Sequence, residues 1–120
     1  MKPTIDDTSF GHITIGGECL DHDILIRLSG KVKKRKKKLS KAVYGTSHTV
    51  SKAEAKHVYD KGATRLIIGA GQEGMLSLSA EVAEYFRKKK CKVDVQPTPE
   101  AIRRWNRVRG ATIGLFHVTC

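Results

Sequence analysis

No stretch of this chain approaches the roughly 18 consecutive apolar residues of a membrane span. Its opening dozen residues, MKPTIDDTSFGH, hold no apolar signal core. Neither a membrane protein nor an exported one is expected. Cysteine is scarce: Cys19, Cys91 and Cys120 are odd in number and form no C-x-x-C. No disulfide framework and no metal site is implied, and a reducing cytoplasm is the expected compartment. Neither an internal repeat nor a linker interrupts residues 1–120, which read as one domain. That length suffices for a core that buries roughly two-thirds of the unfolded chain's surface. Acid is the remaining shortage: 12 Asp and Glu stand against 23 Lys and Arg, a net charge of +11. The imbalance is local. Residues 31–41, KVKKRKKKLSK, carry eight bases and no acid, and the rest of the chain nets only +3.

The chain is organised around Arg65 to Gly74, RLIIGAGQEG. The apolar run Leu66-Ile67-Ile68 is too short for a helix and suits a strand buried on both faces, in the parallel part of an α/β sheet. Before it, Phe10–Glu18 alternates Ile13 and Ile15 with polar neighbours and ends at Gly16-Gly17. Asp23–Leu28 reads as its antiparallel partner, and Lys31–Arg35 as a third strand with lysines on a solvated edge. Residues 10–36 are therefore expected to form a β-meander. Leu39–Thr49 has no clear period and reads as loop. Ser51-Lys52-Ala53-Glu54 is a capping box that starts a helix with Ala55, Val58 and Tyr59 inward, stopped by Lys61-Gly62. After the central strand, Met75–Leu78 looks extended and Ser79 caps a helix reaching Lys90. Lys92–Gln96 is a strand, and Thr98 caps a helix with Pro99 at its first position. Ala111–Val118 is the last strand. Residues 51–120 thus read as a helix plus a βαβαβ unit. The expected class is α/β, in layers, with a mixed central sheet.

Four constellations invite chemistry. GAGQEG matches G-x-G-x-x-G through Gly69, Gly71 and Gly74, but a dinucleotide fingerprint opens its helix at the glycines. Here the cap Ser79 lies ten residues past Gly69, and Asp94 sits inside the next strand with Gln96 at its tip. A turn is favoured over a nucleotide site, and a small anion remains an alternative. The basic run offers Lys33, Lys34, Arg35, Lys36, Lys37 and Lys38 as a contact patch. It lacks the interleaved aromatics of RNA readers, so nucleic-acid binding through it would be weak and non-specific. His117 and Cys120 suggest a Cys–His nucleophile. Strand alternation puts His117 on the face of Thr119 and turns Cys120 away, so His117 is expected to be a buried, hydrogen-bonded histidine. Ser47-His48 and Asn106 would either line a pocket with His117 or satisfy backbone groups in turns. His12, His22 and His57 show no ligand spacing, and no residue is assigned a catalytic role.

In order along the chain, FGHITIGGE, DILIRLSG, KKLSKAVYGTSH, LIIGAGQEGMLSLS, PTPEAIRRWN and IGLFHVTC together resemble the small Mth-type proteins of methanogens. That superfamily includes the animal adipogenesis-associated domain protein and the mitochondrial NADH:ubiquinone oxidoreductase assembly factor of the same fold. YGTSH and HVTC look most like its archaeal branch. The resemblance spans Phe10 to Cys120. It implies a three-layer α/β structure: a mixed central sheet flanked by helices, with an added β-hairpin layer. It implies no established activity and no cofactor. The family's glycine motif falls on Gly69, Gly71 and Gly74, its helix start on Pro97 and Thr98, its helix Asn on Asn106, and its ending on His117, Thr119 and Cys120. Ala70 stands where the family often has Thr or Ser, which removes a hydroxyl from the loop. By analogy with the assembly factor, the expectation is a non-enzymatic domain acting through a protein partner or a homo-oligomer. The alternative is a small-ligand site between the glycine loop and Thr98, with Asn106 and His117 as polar walls.

Overall fold

The first strand lies in residues whose composition concealed it. In the computed structural model, which describes residues 2–120, β1 (Ile5–Ser9) pairs antiparallel with β2 (His12–Ile15), and β2 pairs with β3 (Glu18–Leu20). Ile5, Ile13 and Ile15 point inward from this small sheet. β1 escapes a period-2 reading because one inward Ile is its only apolar residue, and a bulge between Ile5 and Asp7 breaks its alternation.

The expected meander therefore divides. The partner of β2 is β3, and the Asp23–Leu28 stretch supplies β4 (Ile24–Ile26) to a different sheet. All three residues of β4 are buried, so it needs cover on both faces, which a solvated meander does not give. β5 (Val32–Lys34) pairs with β4 as an edge strand, with Lys33 and Lys34 exposed as expected. The Leu39–Thr49 stretch corrects a second expectation. It contains α1 (Lys38–Tyr44), which closes on Gly45 at φ +71°, and then β6 (Thr49–Val50). Its buried position is the polar Ser40, while Val43 and Tyr44 are exposed, so hydropathy does not trace the inward face of these two turns.

α2 (Lys52–Val58) starts at Ser51, whose hydroxyl accepts the Glu54 N–H. β7 (Arg65–Ala70) follows, then β8 (Ser77–Leu78) beside β6, then α3 (Ala80–Lys88), capped by Ser79 as expected. β9 (Lys92–Gln96), α4 (Thr98–Arg107) and β10 (Thr112–His117) complete the chain. The cap of α4 is Pro97, not Thr98. The Thr98 hydroxyl is engaged elsewhere.

The five-stranded sheet runs β5-β4-β10-β7-β9: β9, β7 and β10 are parallel, β4 runs antiparallel to β10, and β5 antiparallel to β4. Alternation along β7 sends Ile67 to one face and Leu66 and Ile68 to the other. The Ile67 face is covered by α4, through Ala101, Ile102 and Trp105, and by the three-stranded sheet. The opposite face is covered by α2 and α3, through Ala55, Val58, Val82 and Phe86. The result is a three-layer α/β fold with a mixed central sheet and an added β layer. No helix among the described residues is long and apolar enough to cross a membrane.

Candidate functional site

The glycine loop is a packing joint. Gly69 lies inside β7, and a Cβ there would stand 2.8 Å from Phe116 and 2.9 Å from Thr98 Oγ1. Gly71 is left-handed at φ +98°, and a Cβ on it would come within 2.3 Å of the Cys120 carbonyl carbon. Only glycine lets the chain after β10 lie this close. Four amides of the loop already have partners within the protein. Gly71 N–H donates to Thr98 Oγ1, Gln72 N–H to Thr119 O, Gly74 N–H to Gly71 O, and Met75 N–H to Cys120 O. A ligand at the expected site between Gly69, Gly71, Gly74 and Thr98 would have to compete with these bonds. Thr98 Oγ1 also donates to His117 O, so one hydroxyl joins α4, the loop and β10.

Asn106 and His117 are not brought together as walls of one pocket. The Asn106 amide accepts from Ile5 N–H at 3.0 Å and donates to Ile5 O at 2.8 Å, tying α4 to β1. Its work is to pair an edge strand's backbone. His117 is buried, as expected, and its Nδ1 lies 2.7 Å from Asp23 Oδ2.

Asp23 leads to the main electrostatic feature. Arg35, expected on the basic surface, is buried. Its guanidinium reaches Asp23 Oδ2 at 2.9 Å, both Glu54 oxygens at 2.6 and 2.9 Å, and Ser47 O at 2.8 Å. The Glu54 carboxylate also accepts from the Ser40 hydroxyl, so it does not complete the capping box. Burial raises the Asp23 pKa. Hydrogen bonds from His117 and the Val118 N–H, and the charge of Lys37, outweigh it and hold the carboxyl down at about 2. Burial likewise opposes the Arg35 charge, and its bonds to Glu54 and Asp23 outweigh it and raise the guanidinium's pKa. Sequence reasoning missed this network. Its one signal was a lone Arg among lysines, the residue suited to planar, bidentate carboxylate contacts.

Removing Arg35 from the surface leaves Lys33, Lys34, Lys36, Lys37 and Lys38. Lys34, Lys36, Lys37 and Lys38 line an open cleft of about 630 Å³, with Asp21, His22 and Thr119. Lys37 Nζ stands 3.7 Å from Asp23, and the other four lysines form no ion pair among the described residues. At the far end of α1, Val43 is 61 % exposed and Tyr44 39 %.

The last feature corrects the reading of Cys120. β10 ends at His117, and Thr119 and Cys120 leave the strand, pinned by the Gln72 and Met75 amides. Alternation therefore no longer governs their side chains. Cys120 Sγ lies 3.4 Å from His48 Nε2, and the His48 and His117 rings meet edge-on with centroids 5.4 Å apart. Residues far apart in sequence thus converge, without the short spacing that marks ligands in a sequence.

A family model described as a protein of unknown function (DUF498/DUF598) matches residues 5–112. The conserved hypothetical protein PH1505 from Pyrococcus horikoshii OT3 is 34 % identical. The match covers 98 % of this chain and 99 % of that one, with a TM-score of 0.89. A solved structure named MT938 is 30 % identical over 99 % of this chain and 100 % of its own, with a TM-score of 0.82. A Mth938-like domain from Bordetella pertussis is 15 % identical over 97 % of this chain and 85 % of its own. At a TM-score of 0.64 it shares the fold.

Proposed function

The chain belongs to the DUF498/DUF598 family of Mth938-like domains, and from that premise we propose that it is a binding module for an acidic segment of a protein partner. The observation that carries this reading is the lysine-lined cleft, with exposed Val43 and Tyr44 at the other end of α1. An anionic partner gains from the lysines at the rim, chiefly in its rate of encounter. An apolar or aromatic contact at Val43 and Tyr44 would supply the desolvated area that lysines do not. The inward turn of Arg35 supports the reading, because its anchors on Asp23, Glu54 and Ser47 O fix the backbone on which the lysines stand.

The test keeps Arg35. Lys33, Lys34, Lys36, Lys37 and Lys38 are changed together to Ser, and Val43→Ser/Tyr44→Ser is made separately. Each variant is compared with the wild type in two assays: partner capture from the protein's own cells, and fluorescence anisotropy against a Glu-rich peptide carrying one Trp. The reading expects both variants to stay folded, to lose the captured partner, and to bind the peptide at least tenfold more weakly. Capture unchanged in the lysine variant refutes it. So does a single-stranded oligonucleotide that binds tighter than the peptide, with an affinity that falls steeply with salt.

A further inference from the structure

We propose that His48, His117 and Cys120 form a binding site for a thiophilic divalent cation, zinc by the chemistry of the donors. One ligand atom from each of the three side chains lies within 4.8 Å of the others. At bond lengths of about 2.0–2.1 Å to imidazole and about 2.3 Å to thiolate, tetrahedral donors stand roughly 3.5 Å apart. The His48 Nε2 to Cys120 Sγ separation, 3.4 Å, is already such an edge. Closing the third corner takes a shift of about 1 Å, within reach of the half-buried His48 and Cys120 side chains.

The surroundings prepare His117 for this use. Its Nδ1–H donates to Asp23, itself fixed by Arg35 and the Val118 N–H. That fixes the tautomer with a lone pair on Nε2, where the Thr119 hydroxyl sits at 3.2 Å. A carboxylate behind the non-ligating nitrogen is the usual support for a metal-bound histidine, since it orients the ring and raises its basicity. Two imidazoles and one thiolate favour zinc over calcium or magnesium, which take oxygen donors. Binding would form one Zn–S and two Zn–N bonds and release the thiol proton to solvent. Three protein donors leave one coordination position for water or a small anion.

The other cysteines provide controls. Cys19 is exposed on β3, and Cys91 is buried where desolvation pushes its thiol up to about 11. Neither belongs to a metal-ligating cluster among the described residues.

The experiment titrates the reduced, chelator-stripped protein with Co²⁺ and then displaces Co²⁺ with Zn²⁺, with folding followed by circular dichroism. One equivalent of Co²⁺ should give a thiolate-to-cobalt charge-transfer band and the visible bands of a four-coordinate ion, and Zn²⁺ should abolish both. Cys120→Ser should lose the charge-transfer band, and His48→Gln should weaken Zn²⁺ binding more than tenfold in a chelator competition. Asp23→Asn should weaken it roughly 10–100-fold without removing a ligand. Cys19→Ser should bind as the wild type. Absence of the band in the wild type overturns the proposal, as does a band that survives Cys120→Ser or disappears in Cys19→Ser. Asp23→Asn is more exposed to loss of folding, so Cys120→Ser and His48→Gln, at half-buried positions, carry the decision.

Discussion

Arg35→Ala should be far more damaging than any other change in the basic run. The guanidinium is the shared partner of Asp23 and Glu54, and all three groups are buried. Without it Asp23 keeps His117, the Val118 N–H and, at 3.7 Å, Lys37. Among the described residues, Glu54 keeps only the Ser40 hydroxyl as a side-chain partner. An ionised carboxylate left inside a protein is the expensive case, and removing one partner of a buried pair costs about 3–5 kcal/mol. For a domain of this size the melting temperature should fall by about 10–25 °C. Lys36→Ser and Lys38→Ser, changes at exposed side chains, should stay within roughly 0.5 kcal/mol of the wild type. Urea unfolding followed by circular dichroism measures all three. A double-mutant cycle of Arg35→Ala with Glu54→Ala then isolates the pair, because removing both partners leaves no orphaned charge on that arm. If Arg35→Ala unfolds within about 1 kcal/mol of the wild type by this assay, at the low end of the scale for a lost hydrogen bond, the network is not what holds β5 and α1 to the core. The rigidity argued for the lysine rim would then fall with it.

Two further outcomes follow from the same geometry. The folded-state pKa of Asp23, about 2, lies below its ordinary 3.8, so its contribution is fully present above about pH 4 and is lost as the pH falls toward 2. That contribution is roughly 2–3 kcal/mol. Asp94, lowered by Arg104 and Gln96 against a raising effect of burial, adds a slope of the same sign. Asp23→Asn should flatten the acid limb of stability measured by urea between pH 2 and 6, and an unchanged limb would show that Asp23 titrates normally. Gly71→Ala should cost roughly 2–4 kcal/mol, combining a left-handed backbone with overpacking against Cys120 and His117. Its unfolding curve should shift to lower urea, and a variant as stable as the wild type would mean that the chain after β10 does not lie on the loop.

Elements whose information is local were legible in the chain alone. Leu66-Ile67-Ile68 could only be a buried strand, Ser51 and Ser79 announced two helix starts through hydroxyls that accept nearby amides, and the alternation of Ile13 and Ile15 marked a strand with one wet face. The family motifs, in order, carried the layered architecture. Relations between distant residues were settled by packing instead. Asp23–Leu28 alternates as well for one antiparallel partner as for another, and only the sheet's need for a strand buried on both faces sends it to β10. Arg35 sits in a row of lysines with nothing in its neighbours to say that it turns inward. Asp23 lies 12 residues from it and Glu54 19 residues, and a salt bridge across that separation leaves no periodic trace. The same holds for the metal-ligating cluster. His48 and Cys120 are 72 residues apart, and they meet because β10 stops at His117 and the glycine loop, lacking a Cβ at Gly71, lets the chain bend back beside it.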